Sequence, residues 1–220
     1  MSRWIDIETP GGPLRAWRSE PSGRSKGAVL VIQEIFGVNA HIRSVADRIA
    51  GAGFVALAPA LFDRIAPGVE LGYDAPGVAR GLALAQAVGL DGGTELLGAA
   101  CTALQAEGLR TGAIGFCWGG SLAFLANTRL GLPAVSYYGA RTVPFLDEPL
   151  RAPMMFHFGD RDPSITAEAV EAHRRSLPGS QVHVYPAGHG FNCEQRADFE
   201  PASAALAWQR SIGFLTENLR

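Results

Sequence analysis

Three side chains spread along the chain, Cys117, Asp162 and His189, are of types that together can do covalent chemistry. Cys117 lies in Gly115-Phe116-Cys117-Trp118-Gly119-Gly120, with a glycine two residues to either side. That spacing suits a strand that reverses sharply into a helix, where side chains at the flanking positions would strike the turn. Such a bend holds the nucleophile in a strained backbone conformation and lifts it above the sheet. The N-terminus of the following helix then favours a thiolate. The alternative is a strand–turn–helix joint carrying a buried, inert cysteine, since free cysteine is among the most buried residue types.

A thiol nucleophile needs a base, and the base needs an orienting group. Of five histidines, His189 is the best placed. It sits in Ala187-Gly188-His189-Gly190-Phe191, a glycine-lined loop just after an expected strand. His41 opens a helix beside a loop. His157 reads as a core residue on a strand, His173 as solvated beside Arg174 and Arg175, and His183 as outward-facing between Val182 and Val184. Gly159-Asp160-Arg161-Asp162-Pro163 offers two carboxylates between nucleophile and base. Asp162 lies further into the loop and can turn toward His189, whereas Asp160 caps the turn or pairs with Arg161. Asp147 and Glu148, in a Pro-flanked loop, are weaker candidates.

These residues need strand ends to hold them. Ala28–Ile32 is an unbroken, β-branched-rich apolar run and reads as a central parallel strand. Leu109–Ile114, Phe54–Ala58, Ala134–Tyr138, Pro153–Phe158 and Val182–Tyr185 read as further strands. Trp4–Ile7 and Leu14–Trp17 read as an N-terminal hairpin across Gly11-Gly12-Pro13. Helical periodicity covers His41–Ala50, Val78–Val88, Gly93–Ala106, Ser121–Asn127, Ala167–Ser176 and Ala202–Asn218, with a long loop over Leu61–Gly77. The alternation implies an α/β class: a mostly parallel central sheet with helices on both faces, in one domain over residues 1–220. In such sheets ligands bind outside the carboxyl ends of the strands, where all three side chains fall.

Composition narrows the classes. The 220 residues are 47% hydrophobic and 18% charged with net charge −2, which fits a globular enzyme. No electrostatic footprint for nucleic acid or an anionic membrane is present. Three cysteines, at 101, 117 and 193, suggest neither a disulfide framework nor a zinc motif, and Cys101 reads as structural. The N-terminus lacks the apolar run of a signal peptide and no segment is long enough to span a bilayer, so the expectation is a cytoplasmic protein, where a working thiol stays reduced.

In motif order the chain resembles the dienelactone hydrolase family of α/β-hydrolases. The shared stretches are Gln33-Glu34-Ile35-Phe36-Gly37, the Cys117 hexapeptide, Tyr137-Tyr138-Gly139, Gly159-Asp160-Arg161-Asp162 and Gly188-His189-Gly190-Phe191. The resemblance implies an α/β-hydrolase fold and a Cys117–His189–Asp162 triad. It implies that Glu34 holds or activates the thiol at rest, and that the backbone amides of Ile35 and Trp118 form the oxyanion hole. It places Arg80, Phe36, Tyr137 and Phe191 around the substrate. Two departures concern specificity. Of two arginines that bind a substrate carboxylate in dienelactone-specific members, Arg80 matches one. The other should stand four residues after the histidine, at Cys193, and the aromatics expected after Arg80 are Leu84 and Ala87.

The expected activity is hydrolysis of a small-molecule ester, lactone or thioester through an acyl-thioester on Cys117, with no metal or organic cofactor. The expected state is a monomer or small homo-oligomer. Two other classes compete: a non-catalytic small-molecule binding protein on the same scaffold, and a thiol redox protein using Cys193 or Cys101 to resolve Cys117.

Overall fold

The computed structural model describes residues 1–219. Eight strands form one sheet: β1 (Ser2–Ile7), β2 (Leu14–Ser19), β3 (Ala28–Ile32), β4 (Val55–Pro59), β5 (Thr111–Phe116), β6 (Ala134–Tyr137), β7 (Met154–Gly159) and β8 (Gln181–Tyr185). Their spatial order is β1-β2-β4-β3-β5-β6-β7-β8. β1 and β2 pair antiparallel at one edge, β2 runs antiparallel to β4, and every other pairing is parallel. Every residue of β3, β5 and β7 is buried, which requires cover on both faces of the sheet.

Helices supply that cover: α1 (Ala40–Gly51), α2 (Ala75–Ala106), α3 (Trp118–Leu130), α4 (Ala167–Ser176) and α5 (Pro201–Asn218). α2 packs on α3. α1 meets α5 through Arg48, whose guanidinium lies 3.9 Å from the Trp208 ring centroid. The two helices expected over 78–106 form one run, broken where Gly89 takes φ 70°. The run begins at Ala75, inside the expected loop. Asp74 accepts a bond from the Gly77 amide at 2.8 Å, and Pro76 occupies the first turn. Among the described residues no helix is long and apolar enough to cross a membrane.

The order around β3 positions the site. After β3 the chain crosses to β4 on one side, then returns to β5 on the other. The loops leaving β3 and β5 therefore diverge, and a crevice opens at their carboxyl ends. Glu34 and Ile35 lie on the first loop and Cys117 on the second.

Two histidines differ from expectation. His173 is buried, not solvated: with Val170 it forms the inner face of α4, and its ring nitrogens meet Thr142 Oγ1 at 2.6 Å and the Ala169 carbonyl at 2.7 Å. His183 is half-buried, its ring 5.5 Å from that of His157. His157 is a core residue as expected, held between Tyr185 Oη at 2.8 Å and Ser211 Oγ at 3.0 Å. Burial pushes its imidazolium well below the ordinary histidine range, so it stays neutral.

Candidate active site

Cys117 sits on the tight bend between β5 and α3 with φ 55° and ψ −116°, a region that side-chain-bearing residues rarely occupy. The glycines make the bend possible. A Cβ at Gly115 would overlap the carbonyl of Gly119, and one at Gly119 would overlap the carbonyls of Ile32 and Gln33. The Cys117 amide donates to the Tyr137 carbonyl at 3.0 Å, tying the elbow to β6. α3 starts at Trp118, so the Trp118 amide is among the helix N-terminal donors that have no partner within the helix.

His189 comes from the loop after β8 and Asp162 from the turn after β7. His189 Nε2 lies 3.1 Å from Cys117 Sγ, and its Nδ1 lies 2.7 Å from Asp162 Oδ2. The Ser164 amide donates to the other carboxylate oxygen of Asp162 at 2.8 Å. The Asp162 side chain is 0% exposed and the His189 ring 16% exposed. Burial opposes a charge on His189, but its bonds to Asp162 and Cys117, and their charges, outweigh it. The imidazolium is pushed up to about 10. Gly190 has φ 87°, and a Cβ there would press within 2.6 Å of the Arg196 guanidinium. The glycine after His189 thus admits Arg196 beside the loop.

This gives a pH expectation. His189 loses the proton it can give to a leaving group as pH rises through its value, so kcat/KM on an activated ester should fall near pH 10. Asp162→Asn removes the charge that holds the imidazolium, and the alkaline limb should move down by about one pH unit or more. A limb that stays in place in the variant contradicts this assignment.

Glu34 differs from the resting arrangement that the resemblance implies. Cys117 bonds to His189, while Glu34 Oε1 lies 3.3 Å from Arg196 Nη1. The Glu34 side chain is 1% exposed, and its Oε2 has no hydrogen-bond partner among the described residues. Burial lowers and Glu34 raises the Arg196 value, and the net direction is up, so the guanidinium keeps its charge. Its carbon also lies 5.9 Å and 6.0 Å from the ring centroids of Phe36 and Tyr73.

The other expected residues divide. Ile35 is buried on the loop after β3, and α2 presses on its carbonyl at Gly81, where a Cβ would overlap. Phe36 is buried against Tyr73, ring centroids 4.5 Å apart. Arg80 is exposed on α2. Tyr137 is fully buried with its hydroxyl 2.8 Å from Ser211 on α5, so it belongs to the core network around His157 and not to the substrate surface. Phe191 is likewise fully buried, 5.4 Å from the Tyr138 ring. The tyrosine beside the base is Tyr138, 5.1 Å from the His189 ring, at a φ of 40° that breaks the strand alternation. Arg196, Tyr73 and Tyr138 were not singled out by the sequence. Tyr138 lay inside a quoted motif, but no pattern linked Arg196 or Tyr73 to Glu34.

Residues 14–219 match the dienelactone hydrolase family. A Synechocystis protein is 38% identical over 205 residues, covering 83% of this chain and 82% of its own length. Carboxymethylenebutenolidase 1 of Cupriavidus pinatubonensis is 32% identical over 98% of this chain and 97% of its own. A crystal structure from Klebsiella pneumoniae, 29% identical, superposes with a TM-score of 0.88 over 99% of this chain and 98% of that one.

Proposed function

The chain belongs to the dienelactone hydrolase family and is a carboxylic-ester or lactone hydrolase; from that premise we propose that it works by two-step acyl transfer through Cys117, His189 and Asp162. The observation that carries this reading is the continuous relay from Asp162 through His189 to the sulfur, at 2.7 Å and 3.1 Å. Cys117 Sγ attacks the ester carbonyl, forming a carbon–sulfur bond. The amides of Ile35 and Trp118 take the negative charge that develops on the carbonyl oxygen. His189 gives its proton to the departing alkoxide, leaving an acyl-thioester and a neutral imidazole. That imidazole takes a proton from water, and the hydroxide releases the acid and restores the thiolate. Asp162 keeps the ring in the required tautomer throughout. Lactones suit this chemistry because the leaving alkoxide remains tethered.

We further read the substrate as an ester or lactone bearing an acidic group. Arg196 is a half-buried cation that, among the described residues, pairs with the Glu34 carboxylate at a long 3.3 Å. A substrate carboxylate can compete for that guanidinium. Arg196→Ala should lower kcat/KM by about 10- to 100-fold on acidic esters, the scale of one lost charge-assisted bond. Neutral esters of the same leaving group should lose far less. Equal losses on both would remove Arg196 from recognition. Cys117 with a resolving thiol remains as a redox reading, which a peroxide-reduction assay on the same preparation excludes or supports.

A further inference from the structure

Behind the nucleophile lies a second group of chemically able side chains that acyl transfer does not use in full. Glu34, His41 and Cys193 are all buried at 0% exposure. They come from the loop after β3, the first turn of α1 and the loop after His189. One donor atom from each, a carboxylate oxygen, an imidazole nitrogen and a thiol sulfur, lies within 4.8 Å of the other two. Among the described residues neither ring nitrogen of His41 has a hydrogen-bond partner, and neither does Glu34 Oε2. The nearest acid to His41 is Glu194, 3.3 Å from Nδ1 and half exposed.

Buried polar atoms are nearly always paired, and leaving one unpaired costs about 1–3 kcal/mol. Three unpaired atoms, the two His41 nitrogens and Glu34 Oε2, beside a buried thiol are therefore an unusual local expense. From this convergence we infer that Glu34, His41 and Cys193 form a binding site for a thiophilic divalent metal ion, Zn2+ in particular. The donor set selects the class: imidazole and thiolate together favour zinc-like ions over magnesium or calcium. A tetrahedral zinc with bonds of about 2.0–2.3 Å sets its donors roughly 3.3–3.8 Å apart, so a small contraction of the group suffices. Burial, and then the Glu34 charge, push the Cys193 thiol up to about 11, so it is protonated before the ion arrives. Binding then forms the zinc–sulfur bond and releases the Cys193 proton to solvent. The Tyr73 hydroxyl, which accepts from Asn39 Nδ2 at 3.0 Å, stands against this sulfur and orients it.

The site shares Glu34 with Arg196: Oε1 faces the guanidinium at 3.3 Å, and the unpartnered Oε2 is open to the ion. A divalent ion there draws charge from the carboxylate and repels the guanidinium, which weakens the hold of Glu34 on Arg196. Zinc at this place is an inhibitor of the proposed hydrolysis and not a cofactor for it. The binding claim stands apart from the reading of Cys117 as nucleophile; only the inhibition rests on it.

The test must separate this group from Cys117 and His189, which could also take zinc. Zn2+ is titrated into the full-length protein against a competing chromophoric chelator, and Co2+ is added separately to read the thiolate charge-transfer band. Cys117→Ser should bind one equivalent and show the cobalt band. Cys193→Ser should lose the band and bind at least about 100-fold more weakly, and His41→Gln at least about 10-fold more weakly. His41→Gln carries the reading should Cys193→Ser fail to fold by circular dichroism. Loss of binding in Cys117→Ser with retention in Cys193→Ser overturns the site, as does a wild-type protein without the band. For the activity arm, half-inhibition of acidic-ester hydrolysis by Zn2+ should need at least about 10-fold more metal in His41→Gln. Binding that survives where no ester is hydrolysed counts for the site and against the hydrolysis mechanism alone.

Discussion

Cys117→Ala should lower kcat on activated esters by about 10,000-fold or more while leaving the thermal unfolding midpoint nearly unchanged. The size follows from the role: without the sulfur no acyl bond forms, and His189 and Asp162 have nothing to activate but water. Stability should hold because Cys117 is only partly buried and its sulfur bonds to His189, a loop residue. Alanine at φ 55° keeps the same backbone strain as cysteine, so that contribution cancels. Esterase rate constants measured beside a melting curve check both halves. Retained turnover removes Cys117 from the chemistry.

The second large effect is structural. Gly115→Ala should destabilise the protein by about 3 kcal/mol or more, and so lower the melting temperature by roughly 6–12 °C in a chain of this length. A Cβ at Gly115 would overlap the Gly119 carbonyl, and its next neighbour is the Gly120 amide nitrogen at 3.0 Å. All of these are backbone atoms of the elbow, which cannot turn aside as a side-chain tip can. Relief requires the bend to open, which moves Cys117 away from His189, so activity should fall with stability. Gly98→Ala on α2 is the comparison: its Cβ would meet only Leu130 Cδ2 at 3.6 Å, an ordinary contact. Helix propensity should make that variant as stable as wild type or up to about 1 kcal/mol more stable. Differential scanning calorimetry on both variants gives the contrast, and equal melting points would contradict the steric account.

The parallel sheet was legible because its central strands are unbroken apolar runs, such as Ala28–Ile32, which only two-sided burial explains. The elbow was legible because close backbone approach leaves glycine as the fitting residue, and that demand shows as a fixed spacing in the chain. Chain order then pointed to Asp162 and His189, since each follows a strand whose carboxyl end must face the same crevice. What stayed hidden depends on side chains meeting from distant segments. Arg196, which we propose takes the place of the arginine expected at Cys193, stands three residues later in a turn that no periodicity describes. His41 and Glu34 converge only because α1 starts directly beyond the β3 loop. His173 could have been found: with Val170 it repeats at i, i+3 on α4, and its charged neighbours Arg174 and Arg175 drew attention to the wrong face. Tyr137 and Tyr138 were read as one motif, but the φ of 40° at Tyr138 sends the two rings to different neighbourhoods.

A covalent adduct on the sulfur is the most direct test of the mechanism. His189→Gln retains the thiol but lacks the base for deacylation, so an activated ester should leave its acyl group on the enzyme. Intact-mass spectrometry after acid quench should find one acyl increment per chain, mapped by peptide digestion to Cys117 and absent from the Cys117→Ala, His189→Gln double variant. An increment that maps elsewhere, or wild-type turnover with no adduct trapped at any quench time in either protein, would contradict acyl transfer through Cys117.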